Sequence, residues 1–131
     1  MKIAISTSAA SLDSLVDPRF GRAARFVIFD TEAQEWVTYP NPGLSASGGA
    51  GVQAAQFIAS HGAQVAISGD FGPNAYKTLA AAGVQMFQVP SGRAFTAREV
   101  LVRYRRGQLK QVAAPNRPGY HSPRGRAWVG L

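Results

Sequence analysis

The period of apolar and polar positions changes along the chain and divides it into strands and helices. Short apolar segments of strand length predict five strands, at residues 2–7, 23–30, 35–40, 64–69 and 84–89. From Gly51 the apolar residues recur at helical spacing instead, which predicts a first helix that Gly62 ends. Only a polar turn separates strands two and three, so we expect these two to pair as an antiparallel hairpin.

Two further helices begin at recognisable start signals. Pro73 suits the first turn of a second helix, which is expected to run to Gly83. Thr96 and Glu99 form a capping box ahead of a third helix, and Gly107 ends that helix. The start signal of the third helix is the clearest in the chain, because the side chain of each of these two residues can accept the backbone amide of the other.

The order of these elements predicts an α/β fold, in which a five-stranded mixed sheet carries three helices on its faces. Strand two is expected to run antiparallel to the other four strands. Right-handed crossovers then bring the strand-to-helix loops to one edge of the sheet. This domain is predicted to span residues 1–112, and residues 113–131, rich in Pro, Gly and Arg, are predicted to form a basic, mobile tail.

Charge is distributed unevenly along the chain, whose formal net charge is +7. Residues 1–92 contain five Lys or Arg and six Asp or Glu, whereas residues 93–131 contain nine and one. The first part of the domain is therefore close to neutral, and the positive charge belongs to the third helix and the tail. Such a basic surface suits phosphates or an acidic protein partner.

Residues that build common catalytic and metal sites are scarce. The chain has no cysteine and two histidines, which excludes disulfides and thiolate metal sites and leaves no credible Ser-His-Asp triad. We therefore expect no catalytic residues, no enzymatic turnover and no metal-ligating side chains, so that any metal brings its own ligands. No apolar run approaches the roughly 20 residues of a membrane span, and we expect a cytoplasmic protein without membrane contact.

Four loops are expected to meet at the shared edge of the sheet, namely residues 6–11, 17–22, 42–51 and 68–73. They are rich in glycine and hydroxyl groups, and two of them lead into helices, whose N-termini attract anions. Arginines in the second loop add positive charge, so the edge is predicted to form an anion-binding pocket. The predicted binding residues are Ser6, Ser8, Arg19, Phe20, Gly21, Arg22, Gly49, Gly51, Gly69 and Gly72.

A different class of ligand fits some of the same residues. The segment from Gly49 to Ala54 matches a dinucleotide-binding fingerprint, and Asp70 stands about where a ribose-binding acid is expected. The match is weak, because that fingerprint should follow the first strand directly. A binding module for a phosphorylated metabolite, a nucleotide or a nucleic acid is the alternative hypothesis, with only weak, sequence-independent nucleic-acid binding expected from the basic surface.

Two stretches and the first strand carry a family resemblance. The stretches are VDPRFGRAARFVIFD (16–30) and GGAGVQAAQFIASHGAQVAISGDFGPNAYKTLAAAGVQMFQV (48–89). Together they resemble the dinitrogenase iron–molybdenum cofactor biosynthesis family, which includes nitrogenase accessory domains and domains of the orange-protein type. The resemblance covers about residues 1–112.

The resemblance implies a ribonuclease-H-like three-layer fold and a role in carrying or assembling a metal–sulfur cluster without turnover. The implied cargo is a molybdenum–copper sulfide cluster or an iron–molybdenum precursor. Some members of the family have His where Arg19 stands, so direct coordination by the protein is not implied here. A preformed anionic thiometallate, held by arginines, backbone amides and packing, suits this sequence better.

Overall fold

A six-stranded mixed sheet forms the centre of the computed structural model, which describes residues 1–116. The strands lie in the order β3-β2-β1-β4-β5-β6. Strand β2 runs antiparallel to both of its neighbours, whereas β1, β4 and β5 are parallel, so the predicted direction of the second strand is confirmed. The strand bounds are β1 Lys2–Thr7, β2 Arg25–Asp30, β3 Glu35–Pro40, β4 Ala63–Ser68, β5 Gln85–Gln88 and β6 Lys110–Gln111.

The prediction of five strands was wrong by one, because β6 was missed. It has two residues, both polar and exposed, and it pairs antiparallel with Phe87 and Gln88 of β5. A two-residue exposed strand has no apolar alternation, so only the long-range pairing defines it. The strand topology does not test the ribonuclease-H-like assignment, which stays a prediction.

Three helices cover the two faces of the sheet, as predicted. Helices α1 (Ala50–Ser60) and α2 (Pro73–Ala81) pack together on one face, while α3 (Ala97–Arg105) lies on the other. A short 3₁₀ turn, Pro42–Ser45, precedes α1. Strands β1 and β4 lie between the two helical layers and are almost wholly buried, as expected for parallel strands covered on both sides.

Strand β3 is an edge strand and is largely exposed. Its antiparallel pairing with β2 confirms the predicted hairpin, and the register places Trp36 opposite Phe29. Phe29 belongs to the core beneath α3, whereas Trp36 retains 38% of its accessible surface. The layer containing α3 therefore leaves part of the outer sheet uncovered.

The chain leaves the sheet beside α2. Val112 is buried and donates its amide to Met86 O at 2.8 Å, and Tyr76 donates its hydroxyl to Ala113 O at 2.7 Å. Asn116 then pairs with the backbone of Phe71 through two hydrogen bonds, of 2.8 and 3.1 Å. The predicted tail thus begins with residues bonded to the domain; its remainder, 117–131, lies outside the described residues, and the boundary at 112 stays a prediction. Among residues 1–116, no helix is long and apolar enough to span a membrane.

Candidate anion-binding site

The loop from Asp17 to Arg22 is fixed across the C-terminal ends of β1 and β4. Asp17 donates its amide to Ser6 O at 2.9 Å, and Asp70 donates its amide to Pro18 O at 2.7 Å. Phe20 completes the arrangement by donating to Asp70 O at 3.3 Å. The loop is therefore tied through its backbone to the ends of two central strands.

Buried hydroxyl groups hold the start of this loop from below. Ser6 is fully buried and donates its hydroxyl to Asp17 O at 2.7 Å, with Ser68 Oγ 2.8 Å away. The Asp17 carboxylate, also buried, accepts the amide of Arg19 at 3.1 Å and lies 3.6 Å from the Arg19 Nε. Asp17 thus orients the backbone of the first arginine of the loop.

Three glycines allow the backbones around the loop to approach closely. A Cβ atom on Gly69 would lie 2.7 Å from Pro18 O, and one on Gly21 would lie 2.9 Å from the Gly51 Cα. A Cβ on Gly51 would in turn lie 3.2 Å from the Cβ of Ala75, where α1 meets α2. Side chains at the first two positions would force the loop away from the helices.

The loop and the starts of α1 and α2 enclose a cleft of about 170 Å³. The residue before each helix is a glycine, Gly49 for α1 and Gly72 for α2, and neither helix has a side-chain cap. The N-terminal amides of both helices therefore lie at the cleft, where they and the helix dipoles favour an anion. The lining residues are Arg19, Gly21, Arg22, Gly49, Ala50, Gly51, Asp70, Gly72, Pro73, Asn74 and Ala75.

The third helix differs at its start, because other protein groups occupy its first amides. Ala97 donates to Ser14 O at 2.9 Å, Arg98 donates to Leu12 O at 2.8 Å, and Glu99 donates to Thr96 Oγ1 at 3.1 Å. The predicted capping box is confirmed, since the Glu99 carboxylate accepts the Thr96 amide at 2.8 Å. This hydrogen bond, with one from Arg93, lowers the pKa of Glu99 below its ordinary value.

Side-chain charge in the cleft comes from two exposed arginines and one carboxylate. Arg19 and Arg22 line one wall, and 62% of the Arg19 side chain is accessible. Asp70 lies in the same cleft. No group of three His, Cys, Asp or Glu side chains in residues 1–116 could hold a metal ion. The cleft thus presents N–H donors and positive charge, which suit an anion that carries its own ligands.

The structure brings six of the ten predicted binding residues together at the cleft. These are Arg19, Gly21, Arg22, Gly49, Gly51 and Gly72. The two helix starts on the cleft also bring in Asn74 and Ala75, which the sequence analysis did not name. Pro73 at the first helical position could have indicated them. Proline has no backbone N–H, so the first free amides of α2 belong to the two residues that follow it.

The other four predicted residues do not line the cleft. Phe20 is buried, with its ring centroid 5.2 Å from those of Phe26 and Phe71. Ser6 is buried beneath the loop and Gly69 packs against Pro18, so both support the loop from behind. Ser8 is exposed and donates its hydroxyl to Leu15 O at 3.3 Å, away from the cleft.

The fold is a small α/β domain in which two helix starts without side-chain caps line one cleft, and comparison with known proteins identifies its family. The sequence model for the family described as dinitrogenase iron-molybdenum cofactor matches residues 1–107. The chain belongs to this family, as the resemblance implied.

Two solved structures are similar over nearly their whole length. The apo form of the orange protein from Desulfovibrio gigas is 40% identical with a TM-score of 0.83, over 88% of this chain and 96% of that one. A putative NifB protein from Thermotoga is 30% identical with a TM-score of 0.78, over 90% of this chain and 98% of that one. No curated protein matches the chain significantly.

Proposed function

We propose that the cleft binds an anionic metal–sulfur cluster and that the protein carries or scaffolds this cluster without enzymatic turnover. The description of the family names the iron-molybdenum cofactor of dinitrogenase, and this supports a role connected with that class of cofactor. A molybdenum–copper sulfide cluster and an iron–molybdenum precursor are the candidate cargoes. A cytoplasmic location and a ribonuclease-H-like fold belong to the same proposal and rest on the sequence and the resemblance.

The observation that carries the proposal is the convergence of two open helix N-termini and two arginines on one cleft. The chain contains no cysteine, so the protein supplies no thiolate to a metal. A cluster whose sulfides are already in place needs hydrogen-bond donors and positive charge, and the cleft offers both. The sulfides of the cargo would face the amides of α1 and α2 and the guanidinium groups of Arg19 and Arg22.

The first test replaces both arginines and measures retention of a thiometallate. A charge-assisted hydrogen bond contributes on the order of 1.5–3 kcal/mol, and 1.4 kcal/mol corresponds to about a tenfold change in affinity. Because the Arg19 side chain is largely exposed, we take the lower end of this range for the pair. The variant Arg19→Ala/Arg22→Ala should bind tetrathiomolybdate at least about tenfold more weakly, with or without copper, as followed by the visible spectrum.

The matched control is Arg105→Ala, which removes one arginine from α3 on the opposite face of the sheet. It should leave the affinity for tetrathiomolybdate nearly unchanged. The double variant should retain its fold, because exposed loop arginines contribute little to the core. An unaltered affinity in a folded double variant would exclude this cleft as the binding site.

The alternative ligand is a phosphorylated metabolite or nucleotide. The glycines of the dinucleotide-like fingerprint favour it, because Gly49 and Gly51 line the cleft together with Asp70. Competition separates the two hypotheses: under the cluster proposal, inorganic phosphate and ADP at millimolar concentration leave tetrathiomolybdate binding unchanged. Displacement by ADP at lower concentrations than by phosphate would favour the nucleotide.

A further inference from the structure

The face of the sheet that carries α3 has a groove between this helix and the edge hairpin. The groove has a volume of about 300 Å³. Leu12, Phe29 and Leu101 form a buried apolar floor, while Trp36 and Val102 stand at its sides with 38% and 43% of their surfaces exposed. Exposed large apolar residues that line one groove, unlike scattered ones, indicate a binding surface.

The two faces of the sheet are covered unequally. Two helices, α1 and α2, pack side by side on one face, whereas α3 is alone on the other. The groove occupies the position that a second helix would take in that layer, alongside α3 and above β2 and β3. The groove runs alongside α3, whose nine residues give a helix about 13 Å long.

The two charged side chains that line the groove are both positive. Arg98 and Arg105 line it; Arg98 is paired with Asp13 at 2.9 Å, whereas the Arg105 guanidinium lies 5.0 Å from the Phe29 ring. Residues 93–116 contain six Lys or Arg and one acid. Within the described chain, no carboxylate lies within 4.0 Å of Arg105.

We propose that this groove docks an acidic amphipathic helix from a partner protein. The apolar face of that helix would cover Trp36 and Val102, and its carboxylates would pair with the Arg105 guanidinium, which lines the groove. The groove opens on the opposite face of the sheet from α1 and α2, so this proposal does not depend on what binds in the cleft. It assigns a partner surface to a region that the cargo proposal leaves unused.

Two other occupants fit the groove less well. A second copy of this chain would bring another net charge of +7 to an already basic surface. A nucleic acid would find a single exposed aromatic ring for base stacking among the residues that line the groove, at Trp36. The apolar floor of the groove and the two arginines that line it together favour an acidic amphipathic helix.

The test selects binders from a displayed library of random peptides, with the full chain as bait. Peptides about 16 residues long would form a helix of about 24 Å, enough to cover the groove. The enriched sequences should be net acidic and carry apolar residues at helical spacing. Synthetic versions should bind Trp36→Ser and Val102→Ser each about tenfold more weakly than the unaltered protein, as expected for central interface residues.

Lys77→Ala is the matched control, since it removes an exposed positive charge from α2 on the opposite face. It should change peptide affinity by less than about twofold. Enrichment of neutral or basic peptides, no enrichment at all, or equal binding to both groove variants would overturn the proposal. Displacement of the acidic peptide by single-stranded DNA at comparable concentration would assign the surface to nucleic acid instead.

Discussion

The N-termini of the three helices lie in different environments, and the difference separates a structural element from a binding site. At α3, Leu12, Ser14 and Thr96 accept the first amides, so the protein itself completes the helix. At α1 and α2, glycines stand where capping side chains usually do, and both starts face one cleft. A helix start without a side-chain cap forgoes a stabilising hydrogen bond.

This contrast explains why the cleft is suited to a ligand. Within the described chain, the first amide of α1 that donates to a backbone carbonyl is that of Gln53, whose acceptor is Gly49 O. In α2 it is the amide of Tyr76, whose acceptor is Gly72 O. The residues whose amides precede these, Ala50 and Gly51 in α1 and Asn74 and Ala75 in α2, line the cleft together with Arg19 and Arg22. An anion there would complete both helices at once, as the protein completes α3.

The largest expected effect comes from closing one open helix start with a carboxylate. Gly72 has φ −68° and ψ 169°, a conformation that Asp readily adopts at an N-cap. In Gly72→Asp the new side chain would accept an α2 amide and place negative charge in the cleft. We expect tetrathiomolybdate affinity to fall at least about thirtyfold, which corresponds to about 2 kcal/mol, while stability changes by less than about 0.5 kcal/mol.

Gly72→Ser is the matched control for that experiment. Its hydroxyl caps the helix without adding charge, so its loss of affinity should be several-fold smaller. Visible titration gives the affinity, and urea unfolding gives the stability of each variant. Equal affinities for the unaltered protein and Gly72→Asp would show that the α2 amides do not hold the anion.

The next effect tests the close backbone contact behind the cleft. A Cβ on Gly69 would lie 2.7 Å from Pro18 O and 2.8 Å from the Pro18 Cα, both backbone atoms. We expect Gly69→Ala to lower the free energy of unfolding by about 2 kcal/mol, because the loop must shift and weaken its hydrogen bond to Asp70. Gly48→Ala, where a Cβ meets nothing within 4 Å, should change it by less than about 0.5 kcal/mol.

A smaller effect is expected from the buried hydroxyl under the loop. Ser6→Ala removes the nearer of two hydroxyl donors to Asp17 O, at 2.7 Å, and leaves the Ser68 hydroxyl at 3.4 Å as the other. Urea unfolding should show a loss of about 1 kcal/mol, the lower end of the cost of a weakened buried hydrogen bond, because Ser68 still reaches Asp17 O. Ser8→Ala, at an exposed position two residues further on, should be nearly neutral. A neutral Ser6→Ala would mean that Asp17 O finds another donor.

The sequence predicted features that depend on neighbouring residues and missed those that depend on distant ones. The capping box needs only Thr96 and Glu99, three residues apart, so it could be identified. The acceptors at Leu12 and Ser14 are more than 80 positions away from α3, and nothing local indicates them. The same reason explains why β6 was missed.

The candidate site shows the same limit. Loop chemistry and strand direction placed Arg19, Arg22 and the glycines before α1 and α2 at one edge. The composition of a loop does not show which side of it faces a ligand. Ser6 and Ser8 are both hydroxyl residues near the end of β1, yet one is buried under the loop and the other faces solvent. Burial against Asp17 and Ser68 decided between them, and burial depends on the whole fold.

The smallest expected effect tests the closed start of α3 through its pH dependence. Hydrogen bonds from Thr96 and Arg93 lower the pKa of Glu99 below its ordinary value of 4.5. A lowered pKa means that the ionised carboxylate stabilises the fold above pH 4.5 and that this contribution is lost as the pH falls through the lowered value. The group is exposed, so the change in melting temperature should be small.

Glu99→Gln isolates this contribution, because glutamine resembles the protonated acid in shape and can still accept the Thr96 amide. The melting temperature of the unaltered protein should exceed that of the variant at neutral pH. The difference should shrink toward zero as the pH falls below 4.5 and through the lowered pKa, where Glu99 takes up its proton. A difference that stays constant over this range would show that the Glu99 charge does not stabilise the start of α3, and that its capping box acts through neutral hydrogen bonding alone.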